Sequence, residues 1–82
     1  MNKKKLLIKI LNGSYQNISF NDFVALIERF GFEFVRQKGS HQIFWNDDIK
    51  ESLNIQNVEG EAKPYQVKDF LKIIEEYDLK LN

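Results

Sequence analysis

Residues 31–48, GFEFVRQKGSHQIFWNDD, decide the fold of this chain. Two β-type runs, residues 32–37 and 42–45, alternate in side-chain character and flank the tetrapeptide KGSH at residues 38–41, whose glycine suits a tight hairpin connection. The turn-rich tripeptide NDD then leads to a third run, residues 52–57. The stretch therefore predicts three antiparallel strands joined in chain order by short turns.

Helical patterns flank the strands on both sides. Residues 3–11 place apolar side chains at helical spacing before an Asn-Gly stop. Ser19 is a suitable N-cap for an apolar stripe over residues 20–30, which Gly31 closes. A proline in first-turn position opens a third helical pattern over residues 64–78. The predicted order is helix, helix, three strands, helix.

This order predicts an α+β fold in which one antiparallel sheet carries its helices on a single face. Three helices are too few to cover both faces, so the other face is left to solvent or to a ligand. We expect one domain over residues 1–82, a monomer when free, and we look for function on the exposed face.

The composition excludes several classes of protein. The 82 residues include no cysteine, which rules out disulfides, thiolate zinc sites and cysteine nucleophiles, and which fits the cytoplasm. No stretch resembles a membrane helix or a signal peptide. Twelve basic and twelve acidic residues balance, which argues against indiscriminate coating of nucleic acid. Phosphate-binding loops, dinucleotide glycine patterns and metal-ligand spacings are absent, so no metal or cofactor is expected.

His41 is the candidate catalytic residue. Imidazole gains and loses a proton near neutral pH, although a lone histidine in a small domain is usually an ordinary polar residue. Here it follows Gly39 and Ser40 in a tight turn, with Arg36 and Lys38 just upstream. Catalytic groups tend to lie on loops held by a rigid scaffold. We therefore expect an accessible imidazole beside two cations.

A phosphodiester is the substrate that this cluster suits. Arg36 and Lys38 can bind phosphate oxygens. In RNA, a base that takes the proton of the 2′-OH lets that oxygen attack its own phosphorus, and this reaction needs no metal. The leaving 5′ oxygen also needs a proton, for which His41 itself, Lys38, Tyr65 and water are all open.

The start of the last helical pattern adds a second basic element. Lys63 and Lys68 lie off its apolar stripe, and a helix N-terminus favours phosphate. Tyr65 can stack on a base or a ribose. The same residues also suit a simple solvated face with a packed aromatic ring.

Residues 31–44, with their glycine-phenylalanine strand and Gly-Ser-His turn, resemble HicA-type toxins, small mRNA interferases of type II toxin–antitoxin systems. Residues 63–68, KPYQVK, are similar to the C-terminal end of one HicA subgroup, whose chains also begin with an extra helix like residues 3–11. The resemblance covers residues 19–78. One departure is the third strand, which reads LNIQN at residues 53–57 where many members have a proline and a basic residue.

The resemblance implies a double-stranded-RNA-binding-like fold with an extra N-terminal helix, and ribonuclease activity that depends on His41. It also implies a HicB-type antitoxin that binds the toxin and blocks this site. Together with the residues above, it leads us to expect a metal-independent endoribonuclease of mRNA. Its expected RNA-binding residues are Arg36 and Lys38 as phosphate contacts, Gly39 and Ser40 in the turn, and Lys63, Tyr65 and Lys68 at the last helix. Two alternatives stay open, namely a non-catalytic RNA-binding module of the same fold and a protein-interaction domain that uses the exposed sheet face.

Overall fold

The computed structural model describes residues 2–81. Two helices precede a sheet and a third follows it. In chain order the elements are α1 (Lys3–Leu11), α2 (Phe20–Arg29), β1 (Glu33–Lys38), β2 (His41–Asn46), β3 (Glu51–Val58), β4 (Glu61–Ala62) and α3 (Pro64–Tyr77). All strand pairs are antiparallel, and the sheet order is β1-β2-β3-β4. The α+β class is therefore confirmed.

The sheet has four strands, and the predicted count of three is wrong. Beyond β3, Glu59 and Gly60 both have positive φ angles, 51° and 86°, as the two central residues of a type I′ turn do. The Asn57 side chain accepts a hydrogen bond from the Gly60 N–H at 2.7 Å. The turn folds the chain back into the two-residue strand β4, which pairs with the end of β3.

The ends of α2 are set by local chemistry. Ser19 is the N-cap, and its hydroxyl accepts a hydrogen bond from the Asp22 N–H at 3.3 Å. At the other end Gly31 has a φ of +98°, and the N–H groups of Gly31 and Phe32 return to the carbonyls of the last helical turn. This is the pattern of a Schellman cap, for which glycine is the favoured residue. The chain enters β1 directly after this cap.

One hydrophobic core lies between the helices and the sheet. Its centre is the fully buried Phe70 of α3, whose ring makes edge contacts with Phe23, Phe30 and Phe32 at centroid distances of 5.6, 5.4 and 6.3 Å. The helices α2 and α3 pack against β3 and β4, and α1 packs against α2. Because no helix covers β1, every residue of that strand is exposed.

The alternation of side chains separates the two faces of the sheet. Phe44, Leu53 and Ile55 are buried and point towards the helices. The residues between them point to the opposite side, which we call the open face. On β1, β2 and β3 the open face carries Glu33, Arg36, Lys38, His41, Ile43, Trp45, Ser52, Asn54 and Gln56.

Candidate active site on the open face

The hairpin turn between β1 and β2 fixes the position of His41. Lys38 pairs directly with His41, so only Gly39 and Ser40 form the connection. Gly39 has a φ of +61°, whereas Ser40 keeps a negative φ, as in a type II′ turn with glycine in its first central position. The Gln37 side chain donates a hydrogen bond to the Gly39 carbonyl at 2.9 Å. His41 therefore starts β2 from a closed two-residue turn.

Arg36 and Lys38 lie on the same face as His41 because β1 contains a bulge. The register shifts between Phe34 and Arg36, so that Val35 is the extra residue. Beyond the bulge, Arg36 lies opposite Ile43 and Lys38 lies opposite His41. Residues paired across neighbouring strands share a face of the sheet, with Cα atoms about 5 Å apart. Within residues 2–81 neither cation forms an ion pair.

The imidazole of His41 has a partner on β3. His41 Nδ1 lies 2.8 Å from Asn54 Oδ1. Both side chains are on the open face. Gln56 pairs directly with His41, and Asn54, two residues earlier on β3, is the diagonal neighbour of His41. This hydrogen bond holds the ring against the sheet.

A second side-chain bond anchors the turn. Gln56 Nε2 donates to Ser40 Oγ at 2.8 Å. The backbone N–H of Gln56 in turn donates to Oε1 of the buried Gln66 on α3, also at 2.8 Å. Ser40 is thus tied to β3, and β3 is tied to the first turn of α3.

Sequence reasoning missed Asn54 and Gln56 as members of this site. A signal for them exists, since Leu53 and Ile55 alternate with them and point inward. That alternation assigns Asn54 and Gln56 to the open face. It does not reveal that His41 lies across from them, because the pairing register decides this contact.

The cations predicted at the start of α3 contact aromatic rings rather than His41. Lys63 Nζ sits over the Tyr65 ring, 5.6 Å from its centroid, and Lys68 Nζ sits over the Tyr15 ring at 5.4 Å. None of these contacts reaches His41. The structure therefore joins Lys63 to Tyr65 but places Lys68 beside the loop that precedes α2.

The opposite end of the open face is acidic. A shallow depression of about 220 Å³ is lined there by Gly31, Glu33, Trp45, Asp47 and Asp48. A hydrogen bond from Lys50, with a second from Trp45, holds the pKa of Asp47 below its usual value. The two ends of the open face therefore differ in charge, with carboxylates at this end and the cations Arg36 and Lys38 at the other.

Residues 2–81 contain neither a metal-binding cluster nor a membrane-spanning helix. No group of three or more histidine, aspartate or glutamate side chains is arranged there to hold a metal ion. The longest helix, α3, has 14 residues, and no helix of the described chain could cross a bilayer.

Comparison with protein families matches residues 20–75 to the HicA toxin of bacterial toxin-antitoxin systems. The chain belongs to the HicA toxin family. The matched region runs from α2 into α3 and includes the hairpin with His41, whereas α1 lies outside it. The predicted family is confirmed, and it makes this HicA-family protein the toxin of a toxin–antitoxin system, with an antitoxin as partner. No curated protein and no solved structure gave a significant match.

Proposed function

We propose that this HicA-family toxin is a metal-independent endoribonuclease that cleaves mRNA in the cytoplasm with His41 as general acid and base. The observation that carries the proposal is the open face, where Arg36 and Lys38 lie on the strand beside His41. Two cations next to an imidazole suit a phosphodiester. Their freedom from ion pairs within residues 2–81 leaves both available to phosphate oxygens.

The proposed reaction uses the ribose hydroxyl as the nucleophile. Arg36 and Lys38 hold the scissile phosphate, and His41 accepts the proton of the 2′-OH. The 2′ oxygen then forms a bond to phosphorus, the bond from phosphorus to the 5′ oxygen breaks, and a 2′,3′-cyclic phosphate remains. The protonated His41 gives this proton to the departing 5′ oxygen, which restores the neutral ring, while Lys38, directly across the hairpin, holds the charge of the phosphate. DNA lacks the nucleophile and is not a substrate.

The remaining predicted residues have supporting roles in this proposal. Gly39 and Ser40 shape the turn, and the bond from Gln56 to Ser40 keeps its hydroxyl at the edge of the site. Lys63, Tyr65 and Lys68 form a second RNA contact that is separate from the cleavage site. The N-terminus of α3 contributes backbone donors next to Lys63.

The decisive experiment compares wild type with His41→Ala on a fluorescent RNA in EDTA. His41 is partly exposed and lies outside the core, so circular dichroism is expected to be unchanged. We expect cleavage to fall by roughly 10²- to 10⁴-fold, the usual effect of losing a general acid or base. A DNA strand with one ribonucleotide should be cut only at that ribose and leave a cyclic phosphate. Cleavage by His41→Ala at the wild-type rate contradicts the proposal.

The phosphate contacts are tested by salt dependence. Arg36→Ala and Lys38→Ala should each weaken binding of non-cleavable 2′-O-methyl RNA and reduce the slope of log K against log salt by about 0.7. Lys80→Ala is the matched control, because Lys80 pairs with Asp78 at 3.0 Å, beyond the end of α3. Equal slopes for Lys38→Ala and Lys80→Ala would show that Lys38 does not bind phosphate.

A HicB-type antitoxin is the proposed partner, and it acts by covering the open face. We further propose that the antitoxin reaches over the edge of the sheet at β1, because Phe34, which points to the helix side, and Val35 at the bulge are 52% and 55% exposed. Phe34→Ser is therefore expected to weaken the complex while RNA cleavage stays intact. Protection of Lys38 from acetylation reports whether the open face is covered. If the antitoxin inhibits cleavage but leaves Lys38 as reactive as in the free toxin, this mode of inhibition is contradicted.

A further inference from the structure

We infer that Asn54 is a positioning residue, which sets the tautomer and the orientation of the His41 ring. This inference rests on the proposed function and adds a residue to it. The observation that supports it is the 2.8 Å contact between His41 Nδ1 and Asn54 Oδ1, which joins neighbouring strands on the open face.

The chemistry of the amide determines which ring nitrogen is protonated. An amide oxygen only accepts hydrogen bonds, so the nitrogen that faces it must carry the proton. Nδ1 of His41 is therefore the N–H donor, and the lone pair of the neutral ring is on Nε2. In water a histidine side chain prefers the other tautomer, with the proton on Nε2. Asn54 thus reverses the intrinsic preference and leaves Nε2 as the atom that accepts the ribose proton.

The same hydrogen bond serves both protonation states of the ring. When His41 has accepted a proton on Nε2, Nδ1 still donates to Asn54 Oδ1. The ring therefore does not have to turn between its role as base and its role as acid. Carboxylates orient the histidine of hydrolase triads by the same logic.

A neutral amide suits this face better than a carboxylate does. In the strand register, the charged open-face residues nearest to His41 are Arg36 and Lys38 of β1, whereas the adjacent part of β3 presents the uncharged Asn54 and Gln56; Glu33 lies at the far end of β1. A carboxylate at position 54 would repel the phosphate and hold the proton on the ring. Asn54 orients the imidazole without either effect.

The first test reads the tautomer directly. His41 is the only histidine in the chain, so its two ring nitrogens give unambiguous ¹⁵N NMR signals. At alkaline pH we expect Nδ1–H in wild type, Nε2–H in Asn54→Ala, and Nδ1–H again in Asn54→Asp, which restores an acceptor. Ser52→Ala, two residues away on the same face, is the matched control and should keep Nδ1–H. A wild-type ring with its proton on Nε2 overturns the inference.

The second test measures kcat and KM for RNA cleavage. Asn54→Ala should lower kcat on the order of 10- to 100-fold with KM little changed, as expected when a reacting group loses its orientation. Asn54→Asp should recover part of kcat, with a pH–rate profile moved to higher pH. If Asn54→Ala keeps the wild-type kcat while His41→Ala is inactive, the inference fails and the proposed function stands. If His41→Ala stays active, the proposed function fails, whatever the NMR spectra show.

Discussion

Replacement of Asn46 by alanine is predicted to be among the most destabilising changes of a polar residue in this chain. Asn46 is 2% exposed and joins two parts of the fold. Its Nδ2 donates to the Phe30 carbonyl at the end of α2, at 2.9 Å. Its Oδ1 accepts from the N–H groups of Asp48 and Ile49 in the following turn, at 3.0 and 3.4 Å. The side chain thus ties the helix to the connection between β2 and β3.

The size of the effect follows from what each group loses. Leaving a buried polar group without a partner costs about 1 to 3 kcal/mol. The Phe30 carbonyl lies in the core region, whereas Asp48 is exposed and its N–H can regain water. We therefore expect Asn46→Ala to lower the free energy of unfolding by about 2 to 4 kcal/mol. In a domain of this size that corresponds to a fall in Tm of roughly 10 to 25 °C.

Asn57→Ala is the matched control for this prediction. Asn57 also accepts a backbone hydrogen bond, from Gly60 at 2.7 Å, but it does so at an exposed turn. Its loss should cost only about 0.5 to 1 kcal/mol. Urea unfolding followed by the fluorescence of Trp45, the only tryptophan, measures both variants. If the two free energies of unfolding agree within about 1 kcal/mol, the buried bonds of Asn46 do not act as described.

Two other predictions concern single positions. Gly31→Ala should lower the free energy of unfolding by about 2 to 3 kcal/mol, because φ is +98° and the added Cβ would lie 3.1 Å from Asn46 Nδ2. Gly13 has a similar φ of +88°, but nothing lies within 4 Å of an added Cβ, so Gly13→Ala should cost less in the same urea assay. The 2.6 Å bond from Tyr77 to Glu51 raises the pKa of Tyr77 to about 12, so the phenolate absorbance step near pH 12 should disappear in Tyr77→Phe. Because this pKa is raised on folding, the stabilisation is complete below pH 10 and is lost as the pH rises through 12.

The helix boundaries were predictable because local residues set them. Ser19 caps α2 through its own hydroxyl, Gly31 accepts the positive φ that ends it, and Pro64 occupies the first turn of α3. Each of these effects depends on residues within one turn of the boundary. The strand β4 was not predictable in this way. Glu61 and Ala62 are too short a pair to show alternation, and their strand character comes from pairing with β3.

The orientation of the two cations was beyond sequence reasoning for a different reason. With Phe34 pointing towards the helix side, as its contact with Phe44 shows, strict alternation would turn Arg36 and Lys38 to that side as well. The bulge at Val35 reverses the alternation and brings both cations to the face of His41. No glycine marks the bulge in the sequence. Proximity along the chain therefore suggested that Arg36, Lys38 and His41 form a cluster, but it could not show that the three side chains lie on one face of the sheet.

The faces also explain how a chain of zero net charge can suit an RNA substrate. On β1, β2 and β3, Arg36 and Lys38 lie at the His41 end of the open face, and Glu33 lies beside Trp45 at the other end. Local charge, rather than the total, determines where phosphate binds. The two phosphate contacts proposed for the open face would contribute a salt slope of only about −1.4 on single-stranded RNA, a small electrostatic part of the binding. Weak binding suits the proposed nuclease, because a toxin that held its cleaved RNA tightly would turn over slowly.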